Sequence, residues 1–242
     1  MVLEKASEIL SEFRKISPYD PIIFLDYDGT LVPIIKNPEE SYPDPQIMGI
    51  LETLRKRYDT YIVTGRSLRE IREFIGNNFN VIALHGAIKS LEDGTTDFAK
   101  GYQKYKVICD SIYSRRGEFL KRYPGVQIIN KDGGLVFTKW FVPEQLLEGL
   151  TAEVKGLSVE TGMEFYPGKM IVELRIPGID KGKAIKDIRR GRAAIIVGDD
   201  LTDEDAYREN PDAFSIHIGD GKTAAHHSLG NYLELRDFLA GL

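Results

Sequence analysis

The chain has 242 residues, 42% hydrophobic and 29% charged, with a net charge of −5; this is the make-up of a folded globular protein with room for one large domain or two modest ones. The acidic balance argues against a nucleic-acid surface, and a single cysteine, Cys109, excludes an intrachain disulfide and fits a reducing, cytoplasmic setting. No apolar run approaches the ~20 residues of a membrane span, and Glu4, Lys5, Glu8, Glu12, Arg14 and Lys15 interrupt any leader-like stretch, so neither a membrane partner nor a secretory leader is expected.

Residues 1–20 read as an amphipathic helix packing on the main domain, because Val2, Leu3, Ala6, Ile9, Leu10, Phe13 and Ile16 recur at helical spacing. The continuous apolar run Ile22-Ile23-Phe24-Leu25 then predicts a strand buried on both faces, as in a parallel sheet. It runs into Asp26-Tyr27-Asp28-Gly29-Thr30. Asp44 is a candidate cap, with Pro45 at the first position of a helix to about Tyr58. A strand at 60–64 ends in Thr64-Gly65-Arg66-Ser67, where Ser67 can cap a helix to about Ile75. A third strand, 81–84, ends at His85-Gly86.

From residue 101 the pattern changes. One long helix is predicted over 101–122, then strands at 126–130 and 135–141 around Asp132-Gly133-Gly134. A helix over 143–155 and strands at 157–160 and 169–176 follow. The alternation resumes at Asp180-Lys181-Gly182-Lys183, continues through the buried strand 193–198 into Asp199-Asp200-Leu201-Thr202-Asp203, and includes another strand at 213–218. The expected architecture is α/β: a doubly wound, Rossmann-like parallel-sheet core at 21–100 and 177–242, with a smaller α+β domain inserted at 101–176.

Asp26 and Asp28, Thr64, Lys181 and Asp199, Asp200 and Asp203 all fall at the carboxyl ends of core strands or at a helix start, points that converge on one crevice of such a sheet. Carboxylates with one lysine and one small hydroxyl, and no clustered His or Cys, suit a hard cation and a phosphoryl group. Each has a plainer reading as a turn or capping residue. Arg66 reads more readily as a surface or salt-bridging residue than as a catalyst, and His85 reads equally as a hydrogen-bonded structural histidine. The adjacent His226 and His227 have no partner cluster, and Cys109 reads as core.

Asp26-Tyr27-Asp28-Gly29-Thr30, Thr64-Gly65-Arg66, Lys181 and Gly198-Asp199-Asp200 resemble, in order, the four motifs of the haloacid dehalogenase-like (HAD) hydrolases. The insertion resembles the α/β cap of those acting on sugar phosphates. Leu84-His85-Gly86 and Gly198-Asp199-Asp200-Leu201-Thr202-Asp203-Glu204-Asp205 are similar, more narrowly, to the trehalose-6-phosphate phosphatase family. That resemblance implies Asp26 as nucleophile, forming an aspartyl-phosphate, and Asp28 as proton donor and then base. It implies Thr64 and Lys181 on the phosphate, with Gly65, Arg66 and His85 lining the substrate site. Mg²⁺ would be held by Asp26, the Asp28 carbonyl oxygen and Asp199, with Asp200 and Asp203 completing or orienting the set. Lys169, Glu173 and Arg175 of the cap would contact the sugar as it closes. The implied reaction is hydrolysis of trehalose 6-phosphate by a monomer. The alternatives are another sugar phosphate (sucrose phosphate, or mannosyl- or glucosyl-phosphoglycerate) or a non-catalytic sensor.

Overall fold

Four successive apolar residues, Ile22 to Leu25, are all fully buried, which only the middle of a sheet covered on both faces permits. The structure, a computed structural model, describes residues 2–16, 19–168 and 170–242. The chain divides into two units, one formed by Met1–Asp97 with Asp180–Leu242 and the other by Phe98–Ile179.

The first unit begins with helix α1 (Val2–Ile16). Its Phe13 ring meets those of Tyr58, Phe214 and Phe238 edge-on, at centroid distances of 6.1 to 6.4 Å. β1 (Ile22–Asp26) is followed by α2 (Pro45–Arg57), which starts where the Asp44 carboxylate accepts hydrogen bonds from the amides of Gln46 and Ile47. β2 (Thr60–Val63) leads into α3 (Leu68–Ile75), whose start is a reciprocal capping box between Ser67 and Glu70. After β3 (Asn80–Ala83) the backbone takes positive φ at Leu84 (48°) and His85 (57°). It then turns into β4 (Ile88–Ser90), antiparallel to β3, and β5 (Thr96–Phe98). Neither of these strands is predicted from the sequence: each is only three residues long, too short for a hydrophobic period to show.

In the second unit the expected long helix is two, α4 (Tyr102–Ser114) and α5 (Arg116–Arg122). Arg115 sits at φ −95°, ψ 11°, and its amide bonds to the Ile112 carbonyl three residues back at 3.1 Å, a tightened turn that ends the helix. β6 (Ile128–Asn130) and β7 (Leu135–Thr138) form the expected hairpin, with Asp132 and Gly133 at positive φ. The strand expected at 157–160 is instead the end of α6 (Glu144–Thr161). Leu150, Val154 and Leu157 lie three or four residues apart and pack on one core, so the helical period governs. Gly162, at φ 70°, closes the helix. β8 (Glu164–Pro167) and β9 (Ile171–Arg175) complete an antiparallel sheet in the order β6-β7-β9-β8.

The chain re-enters the first unit at α7 (Lys181–Arg189), capped by Asp180. β10 (Ala194–Gly198), α8 (Leu201–Glu209), β11 (Phe214–Ile218), β12 (His227–Leu229) and α9 (Tyr232–Ala240) follow. The eight strands run β12-β11-β10-β1-β2-β3-β4-β5, with parallel pairing from β12 to β3. From β1 the chain winds first to one side and returns to the other, so the strand order reverses beside β1, where open α/β sheets bind ligands. Among the described residues no helix is long and apolar enough to cross a membrane.

Candidate active site

The carboxyl ends of β1, β2 and β10 bring residues 26, 64 and 199 together, and the first residue of α7 adds Lys181. Lys181 is 3% exposed. Its Nζ donates to Asp26 Oδ1 at 2.7 Å and to Asp203 Oδ1 at 2.8 Å. Its near neighbour Lys183 pairs instead with Asp180, at 2.8 Å. The other Asp203 oxygen accepts from the amides of Asp199 (3.1 Å) and Asp200 (3.2 Å), so one buried carboxylate fixes both the lysine and the loop after β10. Asp200 caps α8: its Oδ1 accepts from the Thr202 amide and hydroxyl, at 2.8 and 2.7 Å, and from the Asp203 amide at 3.2 Å.

Asp26, Asp199 and Asp203 bring carboxylate oxygens within 4.8 Å of one another. Asp199 takes one long bond, 3.4 Å, from the Thr30 hydroxyl. Asp26 Oδ2 is buried with no hydrogen-bond partner. Burial pushes the Asp26 carboxyl up to about 7; Lys181 opposes the shift, and the charges of Asp199 and Asp200 add to it. Asp199 is likewise pushed up to about 7, by burial and then by Asp203 and Asp200. Asp200 goes the other way: burial opposes its charge, but Lys181 and the Thr202 hydroxyl outweigh it. Lys181 is losing proton affinity to burial but gains more from Asp203 and Asp26, and it stays charged. One lysine thus faces more carboxylate charge than it balances, and an oxygen-only donor set with a buried oxygen to spare fits a hard divalent cation such as Mg²⁺.

Two glycines make the site compact. A Cβ on Gly29, whose φ is 86°, would lie 2.1 Å from Asp199 Oδ2, and one on Gly65 would lie 2.4 Å from His85 Cε1. Only glycine lets β1 and β2 exit so close to these side chains. Thr64 is buried; its hydroxyl accepts from the Arg66 amide at 3.1 Å, and its carbonyl accepts from the His85 amide at 3.0 Å.

Arg66 is a salt-bridging residue, as its sequence reading favoured, and its partner is Asp28. Arg66 grips the Asp28 carboxylate with one edge of the guanidinium, Nε to Oδ2 at 2.7 Å and Nη2 to Oδ1 at 2.6 Å. The two lie 38 residues apart, and nothing local in the sequence marks them as partners.

In the second unit Glu173, 2% exposed, is bonded by Arg175 Nε at 2.7 Å and Lys131 Nζ at 3.3 Å. The Arg175 guanidinium stacks on Tyr166, 3.6 Å from the ring centroid. Glu173 and Arg175 share a strand face as expected; Lys131 and Tyr166, on other strands or turns, were missed because only the sheet register joins them. Lys169 lies outside the described residues.

Comparison with known proteins gives a consistent set of likenesses. The family profile described as Trehalose-phosphatase matches residues 24–233. A curated relative, the trehalose-6-phosphate phosphatase-related protein of Thermoplasma acidophilum, is 41% identical over 218 residues, covering 90% of this chain and 95% of its own. A crystal structure described as that of a trehalose-6-phosphate phosphatase related protein superposes with a TM-score of 0.87 at 41% identity, over 90% of this chain and 95% of that one. A haloacid dehalogenase-like hydrolase from B. subtilis, 15% identical, superposes with a TM-score of 0.61 over 91% of this chain and 99% of its own, a likeness of fold alone.

Proposed function

The chain belongs to the trehalose-phosphatase family and is a phosphatase with a HAD-like fold, and from that premise we propose that it hydrolyses trehalose 6-phosphate to trehalose and phosphate through an Mg²⁺-dependent aspartyl-phosphate on Asp26. The observation that carries this reading is Asp26 itself: one oxygen anchored by Lys181, the other buried with no hydrogen-bond partner. A carboxylate held in that way is pre-aimed, with its charge undispersed by solvent.

Asp26 attacks phosphorus, and the bond from phosphorus to the sugar oxygen breaks as the new one forms. Asp28 gives its proton to the departing oxygen. Asp28 then takes a proton from water, which attacks the aspartyl-phosphate and frees Asp26 and phosphate. Thr64, Gly65 and Lys181 hold phosphate oxygens beside His85. Asp26, Asp199 and the Asp28 carbonyl oxygen hold Mg²⁺, while Asp200 and Asp203 orient them through the α8 cap and the Lys181 contact. When bound, Mg²⁺ supplies positive charge against the phosphoryl oxygens. Glu173 and Arg175 recognise sugar hydroxyls, with Lys131 holding Glu173 in place, and Lys169 is a third sugar-binding residue. A buried thiol at Cys109 suits a reducing, cytoplasmic setting.

A phosphate-release screen over sugar phosphates tests the reading. Trehalose 6-phosphate with Mg²⁺ is expected to be the best substrate, with release abolished by a chelator. Equal or better turnover of sucrose phosphate or of a mannosyl- or glucosyl-phosphoglycerate replaces the substrate and keeps the reaction. No release from any sugar phosphate overturns both.

A further inference from the structure

The contact between Arg66 and Asp28 is more than a surface ion pair. Arg66 is 7% exposed. Its guanidinium lies over two aromatic rings, 4.7 Å from the Phe74 centroid and 5.7 Å from that of Tyr27. Those rings are themselves fixed. Tyr27 and Phe74 stack at 5.9 Å, Tyr42 packs on Phe74 at 4.5 Å, and the Tyr27 hydroxyl donates to the Ser41 carbonyl at 2.7 Å. The Arg66 backbone is held as well, its amide by the Thr64 hydroxyl and its carbonyl by the Leu84 amide at 3.0 Å. A planar fork clamped in this way offers a carboxylate one orientation, since both of its oxygens are engaged in parallel bonds. The Asp28 side chain is 38% exposed and would otherwise sample its rotamers. Each carboxylate oxygen has two acceptor directions, and the fork takes one on each, leaving the other free for a proton.

We propose that Arg66 is the positioning residue of Asp28: it binds no substrate atom and sets the orientation from which Asp28 exchanges its proton with the leaving sugar oxygen. The inference rests on the proton-transfer role given to Asp28 above.

The test uses the full-length enzyme with Mg²⁺ and compares kcat/KM, which reports only the steps through phosphoryl transfer, on trehalose 6-phosphate and on p-nitrophenyl phosphate. The sugar oxygen needs a proton as it departs; the nitrophenolate does not. In Arg66→Gln the ratio of sugar to aryl kcat/KM is expected to fall by about tenfold to a hundredfold, the scale of one general acid, carried by kcat and not by KM. Arg66→Lys, which keeps an aliphatic stem and the charge but loses the fork, is expected to lie between and to guard against poor folding of the glutamine variant. In an Asp28→Asn background, Arg66→Gln should lower the ratio no further, because the two residues act as one unit.

Loss of both activities in proportion makes Arg66 a structural residue and overturns the inference, as does a rise in KM for both substrates, which makes it a phosphate ligand. If Asp28→Asn alone leaves the ratio unchanged, the role of Asp28 has failed. If Asp28→Asn lowers the ratio and neither Arg66 variant does, the positioning role alone has failed.

Discussion

Lys181 joins two carboxylates that serve different ends: Asp26, left with a free oxygen, and Asp203, fully consumed in holding the lysine and two amides. Removing the lysine leaves both carboxylates buried without a counter-charge. Lys181→Met is therefore expected to lower stability by about 3–5 kcal/mol, the cost of breaking a buried pair from one side, and to abolish phosphate release; denaturant unfolding and the release assay check the two separately. Gly29→Ala is the steric counterpart. A methyl group there meets Asp199 while the backbone stays at φ 86°, so turnover should fall steeply, and wild-type turnover in that variant would show that the loop after β1 gives way. The residue types of this cluster are legible in the sequence because each stands just after an apolar run or at the start of a helix. The clamp of Arg66 on Asp28 is not. It exists because β1 and β2 pair with Asp26 opposite Val63, a register that the two segments do not announce by themselves.

At the scale of elements, caps were readable and periods were ambiguous. Asp44, Ser67 and Asp180 start helices where their side chains satisfy amides that the helix leaves unbonded. Residues 157–160 misled because Leu-Ser-Val-Glu alternates apolar and polar as a strand would, while its helical partners Leu150 and Val154 lie a turn or two earlier. The Asp44 cap gives a prediction that tests this level alone. Its carboxylate holds the start of α2 and also meets Arg236 at 2.6 Å, far from the catalytic cluster in sequence. Asp44→Ala is expected to lower stability by about 1 kcal/mol and leave turnover per folded molecule unchanged. The Ile47 amide, with further help from Arg236, holds the Asp44 carboxyl below its usual range. A depressed carboxyl stabilises the fold above its unfolded value and loses that contribution as pH falls through the folded one. The stability gap between wild type and Asp44→Ala should therefore close as the solution is acidified well below pH ~4, and a gap that widens on acidification contradicts the assignment.

For the whole molecule, the sequence made the inserted unit visible by a change of grammar, from strands alternating with helices to paired antiparallel strands. Sheet order was beyond it, since the strands that flank β1 come from opposite ends of the chain. The acidic cluster also has a consequence for the fold as a whole. Binding a cation to the folded state alone stabilises it, by about 2.7 kcal/mol at a hundred times the dissociation constant. Thermal unfolding is expected to shift upward with Mg²⁺ in wild type and to lose that shift in Asp199→Asn; an equal shift in both proteins would place the cation elsewhere.

The most direct measurement follows the phosphoryl group itself. The enzyme is quenched during turnover of trehalose 6-phosphate with Mg²⁺, treated with borohydride to convert an acyl phosphate at an aspartate to homoserine, and mapped by peptide mass. Homoserine at position 26 is the expected result, and turnover with Asp26 unmodified, or with the modification at Asp28, contradicts the nucleophile assigned here.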